Sequence, residues 1–443
     1  LRSFIRPTQL SRISLDVHKI DEYRRGGNDF ARLPHEADIA EEVDHNITGG
    51  SLTYDQYSED QNGKFSAFVC GQFVKRDSYY GAQKDPAAYG RTNDLKSCAG
   101  IQYSREFDNL LFAPGELYVG AENDYGELYD RKLGFDTIPE RIIADQKMNT
   151  LGGYVQSEWA FDKITFLMGV RLDHYSIMDR NERSGDIQNL VLCPRSNLLV
   201  DLSRRFQLRL SYAKGYRAPK IYSEDLHIEA SQAIKISHRN SEHLREETSH
   251  SFSASVDYTG KIKNLPVYLL MEGFYTHLKD PFSNKIVAEN DYELTYLRVN
   301  ADKGAVAQGV NFEGSVLLLD DLTFKMGWTF EDNYYKTPQQ WGEKKSSATK
   351  DMLKTPDQYG YLTAGWDIDE NFQVSFTGNF TGQMKVPHLG LDPENASPEA
   401  LRAISSGRVI AGESLYQTGT FYDLGTKFSY QLNLSDKVRM NLH

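Results

Sequence analysis

The chain has 443 residues, a formal net charge of −12 and 12% aromatic residues, with 27 Tyr and 22 Phe. This acidic balance excludes a nucleic-acid partner, because phosphate binding needs a basic surface, and no apolar run approaches the ~18 residues of a membrane helix. Three Cys cannot build a disulfide framework, whereas 34 Gly against 14 Pro, with so many rings, suits a β protein with frequent turns.

Residues 10–20 set Ile13, Leu15 and Val17 against Arg12, Ser14, Asp16 and His18, the period-two signature of a strand with one apolar face. An acidic loop is expected over 21–44, carrying Asp21, Glu22, Asp29, Glu36, Asp38, Glu41, Glu42 and Asp44. Strands follow at 46–56 and 64–75, joined by a turn containing Asn62-Gly63. A Tyr-rich loop over 77–91 leads to strands near 95–105 and 116–127, and another loop falls near 129–146. From Gly153 the alternation sharpens. Val155, Trp159 and Phe161 share one face, and past the tight turn at Asp162-Lys163 come Ile164, Phe166, Met168, Val170 and Leu172, set against Thr165, Gly169, Arg171 and Asp173. Strands at 192–202 and 206–216 meet across Ser203-Arg204, and 250–258 sets Phe252, Ala254 and Val256 against Ser251, Ser253, Ser255 and Asp257. Further hairpins fall near 259–265, 320–321, 369–370 and 435–437, separated by long loops near 280–303, 336–356 and 385–416.

Short and long connections thus alternate along roughly seventeen strands, each close to the ~9–11 residues that a tilted strand needs to cross a bilayer. The fold this predicts is all-β: a transmembrane antiparallel up-and-down β-barrel with tight turns at one end and long loops at the other. A soluble sandwich also has one apolar face, but its strands average ~5–6 residues and its connections need not alternate in length. A mean hydropathy of −0.56 is compatible with a membrane barrel, whose lumen and loops are polar. Phe206, Leu208, Leu210, Ile164, Phe166 and Met168 are expected to face outward, and Gln207, Arg209, Thr165 and Arg171 the lumen.

The strand at 206–216 runs into YAKGYRAP, residues 212–219, which resembles the "FRAP" box at the outer end of a barrel strand in TonB-dependent outer-membrane receptors. Residues 240–249, NSEHLREETS, similarly resemble the "NPNL…E" box that opens the next strand in that family, although Leu244-Arg245-Glu246-Glu247 lacks its Pro-Asn. The resemblance covers the whole chain, 1–443. It implies a barrel of about 22 strands of which about seventeen are present, with the first of them near the fifth of the family. The plug domain, with its TonB-contacting segment, and the closing strand would lie outside this sequence. The implied function is TonB-energised uptake of a scarce nutrient complex, a ferric siderophore or cobalamin first and haem as the alternative. The implied setting is a monomeric barrel among lipid and lipopolysaccharide in the outer membrane of a Gram-negative bacterium. A passive porin and a membrane-embedded enzyme are the rival classes.

No catalytic signature supports an enzyme: GxSxG, HExxH, paired CxxC and phosphate-binding Gly loops are absent. Candidate ligand groups are instead expected on external loops. Tyr79, Tyr80 and Tyr89 offer aromatic area with polar tips, suited to a bulky chelate. His227, His238 and His243, with Tyr216 and Tyr222 nearby, concentrate imidazole and phenol between the two boxes, the side chains that ligate haem iron. Tyr334 and Tyr335 are expected in an interfacial girdle. The acidic loop could hold Ca²⁺, but solvation and contact with cation-bridged lipopolysaccharide are the expected roles. Cys70 and Cys98 fall on one face of adjacent strands, which leaves a disulfide open to them; free thiols are expected. No cofactor is expected.

Overall fold

The computed structural model describes residues 1–82, 84–180, 187–219, 228–229, 234–290, 293–342, 347–389, 398–407, 411–435 and 438–442. One 19-stranded sheet carries the chain, and its short member Ala348–Asp351 only flanks the outer part of Leu322–Gln340, leaving eighteen strands in the wall. These are β1 Arg2–Ile5, β2 Ser11–Gly27, β3 Ile39–Tyr57, β4 Gly63–Ala82, β5 Tyr89–Leu110 and β6 Ala113–Lys132. They continue as β7 Arg141–Phe161, β8 Ile164–Asp179, β9 Ile187–Asp201, β10 Phe206–Arg217, β11 Glu247–Ile262 and β12 Leu265–Lys279. The last six are β13 Ala305–Leu319, β14 Leu322–Gln340, β15 Gln358–Asp367, β16 Phe372–Thr381, β17 Phe421–Ser435 and β18 Val438–Leu442. Each pairs antiparallel with the next, from β1 with β2 to β17 with β18, as an up-and-down barrel wall requires. The wall curls far enough that the loop strand Ile234–Asn240, which follows β10, lies against β4.

The turns at one end are tight for local reasons. Lys263 and Asn264 both take positive φ, 49° and 73°, matching the twist of the β11–β12 hairpin. Between β3 and β4, the Asp60 carboxylate bonds the Ser58 hydroxyl and accepts from the Asn62 amide at 3.1 Å, and these bonds hold its pKa below the usual carboxylate range.

Alternation sorts the side chains as expected. Ile164, Met168, Phe206 and Leu210 are exposed on the outward face, Met168 at 58%, and Phe166 registers with Leu198, and Leu198 with Leu210, on that same face. On the other face Arg171 meets Glu122 and Asp173 inside the lumen. Exposed apolar residues recur on nearly every wall strand, from Leu15 and Leu52 through Val119 and Leu151 to Phe330 and Phe376. This is the surface a hydrocarbon belt covers.

Three expectations change. β1 was not anticipated, since the four residues of RSFI are too few to show a period and all of them are exposed. The strands also extend far into the expected loops: Asp21 pairs with Asn46, Gly27 with Ala40, and Tyr79 with Tyr89. Beyond a bilayer the ladder continues while the outward face no longer has to be apolar, so the polar sequence there hides strand. Finally, Cys70 and Cys98, expected as free thiols, form a disulfide between directly opposed positions of β4 and β5, with Cα atoms 5.1 Å apart; Cys193 remains free. One short helix, α1 Pro398–Ser405, sits in the long connection between β16 and β17.

Candidate functional site

The long-loop end is framed by loops tied in adjacent pairs. Those after β2 and β4 each make a 3-10 turn, Pro34–Glu36 and Pro86–Ala88. They are joined by His35 Nδ1 to Tyr89 Oη at 2.9 Å and Lys84 to Asp38 at 3.6 Å. The loops after β10 and β12 share a four-stranded sheet in which Ile234–Asn240 pairs parallel with Glu293–Asn300, flanked by Ile228–Glu229 and Phe282–Asn290. The loops after β14 and β16 meet where Lys385 reaches Asp351 at 2.6 Å and the Ser347 hydroxyl bonds Glu413.

Three consecutive residues anchor the middle pair to the wall. The Arg245 amide donates to Asn300 Oδ1 at 2.9 Å, and its guanidinium reaches Asp280 at 3.2 Å. Glu246 accepts from the Tyr175 hydroxyl on β8 and from Asn189 on β9, both at 2.8 Å. Glu247 accepts from Arg217 at 3.1 Å and from the Phe282 amide at 2.9 Å, and the guanidiniums of Arg217 and Arg298 stand 4.8 and 4.2 Å from the Phe282 ring centroid. Sequence reasoning missed this junction. Its one visible trace was the charged triplet standing where the family box has Pro-Asn.

The predicted tyrosines divide. Adjacent strand residues point to opposite faces, so Tyr79 enters a small core with Ala37, Ala40 and Ala88 while Tyr80 packs on Val43. Tyr79 is 0% exposed, its hydroxyl donates to the Asp85 carbonyl at 2.9 Å, and its ring meets Tyr89 edge-on. Burial, with Asp85 beside it, lifts its phenol to about 12, so it is neither a free surface nor a ready phenolate. Tyr89 is half-buried against His35. Replacing Tyr79 by Ala should empty the middle of this core and cost about 3 kcal/mol of local stability. Hydrogen exchange across 84–89 would read it, and unchanged protection there would contradict the packing role.

Tyr222 and His227 lie outside the described residues. The backbone of His238 registers with Tyr296 in the four-stranded loop sheet. His243 is exposed, its amide 3.4 Å from Ser241 Oγ. Tyr216 stacks on Tyr175 at 6.0 Å, on the inner side of the mouth. By alternation Tyr334 faces outward and Tyr335, its neighbour, inward, so only the first suits a girdle. In the acidic stretch Glu22, Glu42 and Asp21 pair with Arg24, Arg25 and Lys19, and among the described residues no group of His, Cys, Asp or Glu is arranged to hold a metal.

Below the mouth the lumen wall is polar. A recess of about 670 Å³ is lined by Asp16, His18, Gln72, Lys96, Asp124 and the Cys70–Cys98 bridge. Beside it Arg171 donates to Glu122 at 2.8 Å and to both oxygens of Asp173 at 2.8 and 3.0 Å. Gly152 makes room for this group, because a Cβ there would stand 2.0 Å from Asp173 Oδ1 and 2.4 Å from Arg171 Nη2. Such a wall can line a passage for polar solutes.

The model of the family described as "TonB dependent receptor-like, beta-barrel" matches residues 9–442. The chain belongs to the TonB-dependent receptors. No protein of curated function matches the sequence. Among solved structures, the siderophore receptor PirA of Acinetobacter baumannii superposes with a TM-score of 0.65 at 15% identity, over 99% of this receptor chain and 64% of its own. The ferripyoverdine receptor of Pseudomonas aeruginosa gives 0.68 at 12%, over 98% and 58%. The copper transporter OprC gives 0.64 at 12%, over 98% and 63%. The chain therefore spans a little under two thirds of these receptors' length, and at these identities they share the fold with it.

Proposed function

We propose that this chain is the barrel of an outer-membrane receptor of a Gram-negative bacterium that takes up a ferric siderophore by TonB-energised transport, with cobalamin as the next candidate. The observation that carries this reading is the combination of tied external loops over a polar lumen in a wall of the TonB-dependent family. The proteins it resembles include receptors named for siderophores and for pyoverdine, which favours an iron chelate. In this reading the full-length protein supplies the plug through which TonB acts. It also supplies about four further strands, an even number, because β1 and β18 run in opposite directions and, among the described residues, each pairs along one edge alone, which hydrocarbon would not tolerate. The barrel is monomeric and sits among outer-membrane lipid and lipopolysaccharide. For a siderophore or corrinoid we assign the contact to Tyr89, with Tyr79 and Tyr80 shaping the loops from within, and Tyr222, His227, His238 and His243 are the candidate contacts of the haem alternative.

The test is uptake by the full-length receptor in a strain lacking other receptors, with and without TonB, using a ferric siderophore, cobalamin, haem and copper. TonB-dependent siderophore uptake that survives Ala at His227, His238 and His243 is the expected result. Loss of haem uptake alone in that triple variant would establish the haem alternative. Equal uptake of small sugars without TonB would replace the proposal by a passive porin.

A further inference from the structure

On the outward face, β8 to β13 line a groove of about 720 Å³ whose lining includes Phe166, Leu198, Leu210, Phe252 and Tyr275. Its floor is open at Gly273, where an added Cβ would find nothing within 4 Å. At its upper lip the rings of Tyr212 and Phe252 meet at a tilt, centroids 4.9 Å apart, and Tyr275 registers with Phe252 in the same row. Rings in such a row settle at headgroup level. One row nearer the long loops the same face carries His250 paired with His277. The Tyr212 hydroxyl bonds His250 Nδ1 at 3.0 Å, and Lys336 Nζ donates to His277 Nε2 at 2.8 Å. With Nε2 so engaged, the neutral His277 ring carries its proton on Nδ1, and Lys336 keeps two further N–H groups on an exposed side chain. Lys279, also exposed, follows His277 by two residues on its strand. The nearby acid on this face, Asp332, is held by Gln308 at 3.1 Å.

A cluster of donors directly above an apolar groove, on a wall that faces lipid, matches one class of ligand. We propose that His250, His277 and Lys336 bind the phosphate of an anionic outer-leaflet lipid whose acyl chain occupies the groove over Gly273. The inference rests on the outward face being lipid-facing. The phosphate gains charge-assisted bonds, and the chain fills a space that the protein's own side chains leave open.

The experiment uses the full-length receptor, delipidated in mild detergent, and native mass spectrometry with added phosphatidylglycerol or phosphatidylcholine. Phosphatidylglycerol should be retained at least several-fold more than phosphatidylcholine. K336E combined with H277A should bring the two lipids level, and G273L should lower retention of both while heat-modifiable mobility shows the barrel still folded. Millimolar inorganic phosphate should displace little phosphatidylglycerol, because the acyl chain contributes to binding. Equal retention of both lipids by the unaltered receptor, or retention unmoved by either variant, overturns the site, and complete displacement by phosphate overturns the groove. Failure of the lipid-facing assignment itself would show separately, as an indifferent response to charge at Met168.

Discussion

Replacing Met168 by Arg should destabilise the receptor by about 2–4 kcal/mol, the cost of a cation near the bilayer midplane on a barrel's outer face. Met168 stands at the middle of the outward series Ile164, Phe166, Met168, Val170 and Leu172 and is 58% exposed to whatever surrounds the wall. Three residues earlier, on the opposite face, Thr165 should accept Arg with a change under about 1 kcal/mol, because the lumen is polar. Equilibrium unfolding in guanidinium with lipid vesicles, compared between the two variants, measures the difference. Equal penalties at both positions would mean that Met168 does not face hydrocarbon, and the membrane reading of the wall would go with it.

Arg171→Met should cost about 2–3 kcal/mol, for the opposite reason. Its guanidinium is the cation between Glu122 and Asp173, and removing it leaves two neighbouring carboxylates facing each other, one of them 4% exposed. Breaking a buried pair costs about 3–5 kcal/mol, discounted here because the Arg171 side chain is 30% exposed. The pair Lys96–Asp94, 3.5 Å apart with its lysine 71% exposed, is the control, and Lys96→Met should cost no more than about 0.5 kcal/mol. The double variant Arg171→Met with Glu122→Leu should recover part of the loss, since one of the stranded charges is gone. If the single variant unfolds at the same denaturant concentration as the unaltered receptor, the lumen network is ornamental to stability.

The wall was legible wherever one face had to be apolar. Ile164 and Phe206 open strands where alternation places them, and Asp162-Lys163 is the tight turn between β7 and β8. The signal fails where that demand stops. Asp21 to Gly27 and Ser78 to Ala82 are strand with polar or mixed faces, so their sequence reads as loop. The mouth was less legible still. Tyr79, Tyr80 and Tyr89 were expected together as ligand contacts on an external loop, but nothing in the order of residues says that Tyr79 turns into a core while its neighbour turns away. The partners of Glu246, namely Tyr175 and Asn189, come from two other strands and carry no local pattern. Alternation put Cys70 and Cys98 on one face of adjacent strands, but nothing in the order of residues fixes the register that sets them directly opposite.

That bridge bears on how the barrel is made. The two sulfurs join residues 28 apart in sequence at directly opposed rungs of β4 and β5. Sliding either strand by one position would turn its oily side toward the passage and its polar side toward lipid, and a covalent rung admits no such slip. If oxidation precedes insertion, this hairpin reaches the membrane already proofread, a fixed template against which β3 and β6 can be laid in order.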